Sequence, residues 1–413
     1  MLRLLLLCLI QVFSLACAAR DKATVELSIQ PEARTFSAQY TLNTRVTGGK
    51  LLLNLNKPYH LTNLTGPNVR NYTSALFFDS FTGDTLRQIT VEFLTKNPRQ
   101  QVTVQYNGTI AARFAADSMA EFTAHASWVP TIPNQEYAVV DYRLTVQVPD
   151  AYQVVSTRPA RSSTLGRYIF EGRTSTIEIG ALAARKFFSL TSPTPATLVN
   201  LYKANRPCTA SDSLLVRNAG KIIAYFNQII GRKDPIRHFT FLLPGINRSA
   251  SGLLDKAAII AYTTFDTQDP DDLLILAHEI SHKWWGYGTW NTYDNWLNEA
   301  FATYSGLLYL QAASDTVSFQ KELSKRQKSA ATAPILLGFE PRNYPYPVRR
   351  QVLYDKGTAI LFKLHQRLGD ELFFRILTAT AAAQVATTDH FLRIVERESS
   401  LVIRQWLQAQ LSQ

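Results

Sequence analysis

His278-Glu279-Ile280-Ser281-His282, followed after sixteen intervening residues by Glu299 within Trp296-Leu297-Asn298-Glu299-Ala300, constrains the fold more than any other stretch of the chain. Two histidines four apart on an α-helix differ by about 40° around its axis, so both imidazoles leave one face, a turn apart. Such a pair is a bidentate site for a borderline metal such as zinc, which takes neutral imidazole nitrogens and carboxylate oxygens. Glu279 sits beside that face, where a general base for a metal-activated water belongs. Glu299, on a second helix, can supply a third ligand and leave the fourth position open to water and substrate. The pattern therefore predicts two helices packed with these faces together around one catalytic zinc ion per chain.

The flanks support a buried helix. Leu273, Leu274, Ile275, Leu276 and Ala277 lead into the motif. Asp269 is a candidate N-cap, Pro270 suits the first helical position, and Asp271 and Asp272 complement the positive end of the helix dipole. The alternative is a pair of structural histidines. But a helix carrying two histidines and a glutamate into the interior needs a compensating partner, and a metal is the natural one.

The hydrophobic period divides the chain in two. From Asp21 to about Ser192, short alternating or β-branched runs recur between turn pairs such as Gly48-Gly49 and Asn107-Gly108. This predicts an N-terminal domain over 20–192 made of antiparallel sheets with one face buried. Ser192-Pro193-Thr194-Pro195-Ala196-Thr197 reads as a stiff joint. Beyond it, the stripe of Leu214, Leu215, Ile222, Ile223, Phe226, Ile229 and Ile230 has a helical period. Strands are expected at 238–243 and 257–263. Helices are expected at 296–312, 354–367, 371–383 and 389–397, with a last one from Val402. The fold class is α+β, with an α-rich second domain over 193–413.

Residues 1–19 open with Met1-Leu2-Arg3, continue with an apolar run to Ala16 and end in small residues, as an export signal does. Leu15-Ala16-Cys17 also resembles the end of a bacterial lipoprotein box. Simple cleavage near Ala19 and a membrane tether through lipidated Cys17 are both open, and both place the protein outside the cytoplasm, periplasmic or extracellular. Cleavage near Ala19 removes Cys8 and Cys17, leaving Cys208 with no disulfide partner. The sequons at Asn63, Asn71, Asn107 and Asn247 are short enough to arise by chance. The net charge of +11 reads as dispersed surface charge, since no Lys/Arg cluster with interleaved aromatics points to nucleic acid.

Three motifs resemble those of the gluzincin aminopeptidases, the family of aminopeptidase N and leukotriene hydrolase. His278-Glu279-Ile280-Ser281-His282-Lys283-Trp284-Trp285-Gly286 is similar to its H-E-x-x-H-x-W-x-G, and Trp296-Leu297-Asn298-Glu299-Ala300-Phe301-Ala302 to its W-L-N-E-G-F-A. Tyr354-Asp355-Lys356-Gly357 is similar to its Y-x-K-G. The resemblance implies a thermolysin-like second domain and no counterpart of the family's C-terminal helical region. It implies that His278, His282 and Glu299 hold zinc, that Glu279 activates water, and that Tyr354 stabilises the tetrahedral intermediate. Tyr344 and Tyr346 compete for that last role. Asp294 matches an aspartate the family places before W-L-N-E, either as N-cap of the Glu299 helix or as a partner orienting a ligand histidine.

The chain also departs from the family. Its sixteen-residue spacing is shorter, with the loss falling in Tyr287–Tyr293. Where the family has G-x-M-E-N, this chain has Gly252-Leu253-Leu254-Asp255-Lys256. The resemblance makes Gly252 and Asp255 substrate-binding, with Asp255 receiving the peptide's amino terminus on a side chain one methylene short. The expected activity is zinc-dependent hydrolysis of peptides, foremost as an aminopeptidase. An endopeptidase with a relaxed amine site and a catalytically silent binding module of the same fold are the alternatives.

Overall fold

The computed structural model describes residues 20–413 apart from 117, 194–196, 246–248 and 314. The expected leader with Cys17, and the sequon at Asn247, lie outside the described residues. Among the described residues no helix is long and apolar enough to cross a membrane.

Alternation governs the first half. In the strand Lys22–Gln30, Ala23, Val25, Leu27 and Ile29 are buried while the residues between them face outward. A side-chain period of two commits one face of each strand to the core. The main sheet has seven strands in the order Ser162–Thr164, Arg167–Ser175, Val139–Gln147, Lys22–Gln30, Thr35–Arg45, Arg99–Thr109 and Tyr59–Thr65. One pairing departs from the expected antiparallel pattern: Lys22–Gln30 runs parallel to Val139–Gln147. The residues between these two strands form three other strands of the main sheet and the whole of a three-stranded sheet, Lys50–Asn56, Asp84–Phe93 and Val69–Asp79, a connection long enough to bring the chain back in the same direction. Aromatic rings knit the layers, with Phe36 meeting Tyr59 and Phe122 edge-on at 5.1 Å each.

The second half is built on a five-stranded sheet in the order Phe187–Pro193, Leu198–Ala204, His238–Leu243, Ala257–Ile260 and Ala250–Leu253. Its first two strands pair across the stretch read from sequence as a joint, with Ser192 opposite Val199 and Pro193 opposite Leu198. The sheet thus opens at Phe187, upstream of the expected boundary. Proline is compatible with this place because the strand is at an edge.

Among the described residues eight α-helices complete this half: α1 (Ala210–Ile229), α2 (Pro270–Ser281), α3 (Trp296–Ala312), α4 (Thr316–Ala330), α5 (Tyr346–Arg350), α6 (Gly357–Ala382), α7 (Thr388–Glu398) and α8 (Leu401–Leu411). Helix α1 crosses over between the parallel strands Leu198–Ala204 and His238–Leu243. A wide π turn, Gln351–Lys356, joins α5 to α6. Within α6, Gly369 adopts φ 73° and ψ 168°, breaking the rod where the sequence pattern expected two separate helices. Helices α2 and α3 pack together inside a core that includes Leu276, Ile280, Trp296 and Phe301.

The edge strand Ala250–Leu253 lies against α2 so closely that a Cβ at Gly252 would stand 2.0 Å from the Glu279 carbonyl oxygen. Only glycine permits this approach. We expect Gly252→Ala to push helix and strand apart and to lower unfolding stability by about 1–3 kcal/mol, as overpacking does, measured by urea denaturation. An unchanged midpoint would show that the contact is soft.

Candidate active site

Helix α2 begins as its sequence suggested. The Asp269 side chain accepts the Asp271 N–H at 2.9 Å, and Pro270 occupies the first turn. The helix then carries His278 and His282 to one place, with their Nε2 atoms 3.1 Å apart. Glu299 Oε2, from α3, lies 3.6 Å from His278 Nε2 and 3.9 Å from His282 Nε2. Glu279 Oε2 is also 3.9 Å from His282 Nε2 and accepts the Gly252 N–H at 2.6 Å. Each imidazole is held from behind: His282 Nδ1 by the Trp285 carbonyl at 2.7 Å and His278 Nδ1 by Thr303 Oγ1 at 3.3 Å. These contacts turn both Nε2 atoms toward Glu299, as second partners of metal-ligating histidines do.

Burial disfavours a charge on His282, yet Glu299 and Glu279 outweigh it and raise its pKa. Burial likewise opposes ionisation of Glu299, but the hydrogen bond from His278 and both imidazole charges leave its carboxyl below the ordinary value. The two shifts report one coupling, in which carboxylate and imidazole each favour the charged form of the other. Three donors on the edges of one small polyhedron suit a tetrahedral ion, for which ligands about 2.0–2.1 Å from zinc give edges of roughly 3.3 Å.

Tyr354 leaves the π turn with its ring parallel to that of His278, centroids 6.2 Å apart. Burial and the neighbouring Glu299 hold its phenol well above its ordinary pKa, so it stays a proton donor. Arg350 covers the ring at 4.5 Å. The competing tyrosines are elsewhere: Tyr344 stacks on Phe339, and Tyr346 is 56% exposed.

These groups line a cavity of about 180 Å³. Gly252 is at its wall, through its backbone. Asp255 is not. It is buried, accepting Arg158 Nε at 2.6 Å and 2.8 Å and Thr157 Oγ1 at 2.9 Å, both from the β half. The expected amine-binding carboxylate is thus neutralised by an ion pair that fastens one half of the chain to the other. Asp294 fills neither expected role. Its Oδ1 accepts both the backbone N–H and the hydroxyl of Thr388 at 2.7 Å, tying the start of α3 to the start of α7.

Three contributors were not singled out in the sequence. Asn298 clamps the shortened loop, accepting the Gly288 N–H at 2.8 Å and donating to the Gly288 carbonyl at 2.9 Å. Trp290 forms a cavity wall, its indole N–H bound to Glu136 Oε2 at 2.6 Å. Glu178 reaches the cavity from the β half, accepting the Leu254 N–H at 3.1 Å and the Thr174 hydroxyl. Burial pushes its carboxyl up to about 7 against those hydrogen bonds. Asn298 lay inside a recognised motif and could have been found there. Trp290 and Glu178 carried no pattern.

Replacing Asp255 by asparagine should leave zinc binding intact but loosen the junction between the halves. A lost charged hydrogen bond is worth about 1.5–3 kcal/mol. Thermal unfolding of Asp255→Asn should show a lower midpoint that Arg158→Met reproduces without adding to it.

Residues 256–408 match the peptidase family M1 domain. Over 145 residues, 30% of this chain, the sequence is 30% identical to endoplasmic reticulum aminopeptidase 2 of Bos taurus, and the match spans 15% of that protein's length. The fold agrees over nearly the whole chain with a two-domain M1 zinc metallopeptidase solved as a variant with L-tryptophan (TM-score 0.70, 14% identity, 95% of this chain and 94% of that one). It agrees similarly with an M1 zinc metallopeptidase from Deinococcus radiodurans (TM-score 0.69, 14% identity, 95% and 93% covered). A variant of the Deinococcus radiodurans enzyme bound to a Tyr-Ser-Ala substrate gives a TM-score of 0.68 at 14% identity, with 95% and 94% covered. At that identity the structural agreement speaks for the fold alone. Taken with the motifs, the matched domain makes residues 256–408 similar to peptidase family M1, and the fold of the whole chain is similar to that of two-domain M1 zinc metallopeptidases.

Proposed function

We propose that the chain is a zinc-dependent peptidase that removes N-terminal residues from peptides outside the cytoplasm. The observation that carries this reading is the convergence of His278, His282 and Glu299 with Glu279 and Tyr354 in one small cavity. A zinc ion held by the first three would lower the pKa of a water and polarise a scissile carbonyl. Glu279, oriented by the Gly252 N–H, is placed to accept the proton of the attacking water and return it to the leaving amine. The Tyr354 hydroxyl, kept protonated, is placed to donate to the oxygen on which charge develops. Ala250, Ser251 and Gly252 line the cavity from an edge strand, whose outward backbone groups suit an extended peptide.

Support for export comes from residues 1–19, with cleavage near Ala19 or lipidation of Cys17 as the two routes. Endopeptidase action has one observation in its favour, the withdrawal of Asp255 into its ion pair with Arg158.

Metal analysis of the purified protein should find about one zinc per chain, falling sharply in His282→Ala because each ligand is a large share of site affinity. Full occupancy in that variant would remove the assignment. Glu279→Gln should retain zinc and lose turnover on peptides by at least ~10²-fold, the usual range for general acid–base catalysis. Tyr354→Phe should lower kcat more than it raises KM. A Tyr354→Phe variant as active as the parent would shift the role to another donor.

A further inference from the structure

The charges in the cavity do not balance with a metal alone. Glu178, Glu279 and Glu299 line it, and no lysine or arginine does so among the described residues. With His278 and His282 neutral as ligands, a divalent ion leaves one of the three carboxylates without a counterion, and burial then resists its ionisation. Such a charge is costly unless a further cation enters with the substrate.

Glu279 and Glu299 both stand beside the imidazoles. The carboxylate left over is Glu178, which the β half presents on the short turn Thr176–Glu178. It is 6% exposed, and its partners, the Leu254 N–H and the Thr174 hydroxyl, are neutral. Leu254 is the residue next to Asp255, so the segment expected to offer a carboxylate to substrate instead grips one from the other half. Asp255 has its charge offset by Arg158. We propose that Glu178 receives the α-ammonium of the substrate, so that preference for a free N-terminus resides on the β half of the chain. This rests on the peptidase reading of the same site. The small cavity favours the α-ammonium, which lies one residue from the scissile bond, over the ammonium of a long side chain.

Binding separates this inference from turnover. Calorimetry on the zinc-loaded protein would use leucinamide, N-acetyl-leucinamide and N-acetyl-lysinamide. In the parent, leucinamide should bind much tighter than its acetylated form. Glu178→Gln should weaken leucinamide roughly thirtyfold or more, the effect of removing one member of a desolvated charge pair, and leave the acetylated ligand unchanged. The glutamine oxygen can still accept the Leu254 N–H, so the fold should survive. Glu178→Asp, which keeps the charge on a shorter arm, should recover part of the loss and serves alone if the glutamine variant does not fold. On peptides the same variants should raise KM for free N-termini more than they lower kcat, while Asp255→Asn keeps the discrimination. Retained discrimination in Glu178→Gln, or a loss confined to N-acetyl-lysinamide, would overturn the proposal. Glu178-dependent leucinamide binding in a protein that hydrolyses no peptide would sink the peptidase reading and leave the amine site standing.

Discussion

Bringing three carboxylates and two imidazoles together in one small cavity is the constraint from which most of this structure follows. Anions held this close repel, and burial takes away the water that would screen them. The protein answers with fixed hydrogen bonds, and among the described residues no basic side chain lines the cavity. The Gly252 N–H takes one oxygen of Glu279, and the Leu254 N–H takes one of Glu178. A single edge strand and the residue after it thus steady two of the three carboxylates. Behind the imidazoles, the Trp285 carbonyl and Thr303 fix ring orientation, so both Nε2 atoms are held facing Glu299.

The cavity is also where the two halves meet, and polar pins hold them in register around it. Arg158 with Asp255, Arg342 with Asp79, Trp290 with Glu136, and Asn291 with Asn134 all cross from one half to the other. Phe81 adds an apolar contact, edge-on to Trp290 at 4.7 Å and beneath Arg349. The shortened loop after α2 takes part directly, since Trp290 and Asn291 belong to it. What the loop loses in length it regains as attachment to the β half.

The sequence was most legible where chemistry and periodicity coincide. The grouping of His278, Glu279, His282 and Glu299 and the α3 boundaries could be read because a four-residue repeat, a cap and a core-facing stripe all lie on short contiguous segments. Helix α4 went unread because only Phe319, Glu322 and Leu323 of its fifteen residues are buried, leaving almost no apolar period. Asp255 misled because its sequence alignment with a ligand position says nothing of Arg158, almost a hundred residues upstream, which claims its charge. Glu178 was invisible for the complementary reason. It follows Thr174-Ser175-Thr176-Ile177 with no motif around it, and only the docking of two separately built sheets brings it to the cavity.

The π turn between α5 and α6 sets an angular relation. Gly357 must face α3, where a Cβ would stand 2.5 Å from that of Ala300, while Tyr354, three residues earlier, must face the imidazoles. On an α-helix each residue advances the side-chain direction by about 100°, and a wide turn changes that phase locally, which is why such turns gather at functional positions. Gln351–Lys356 therefore works as a gear with a fixed tooth count. Its length matters as much as the identity of Tyr354 within it, because one residue more or fewer would keep α6 packed and swing the phenol out of the cavity.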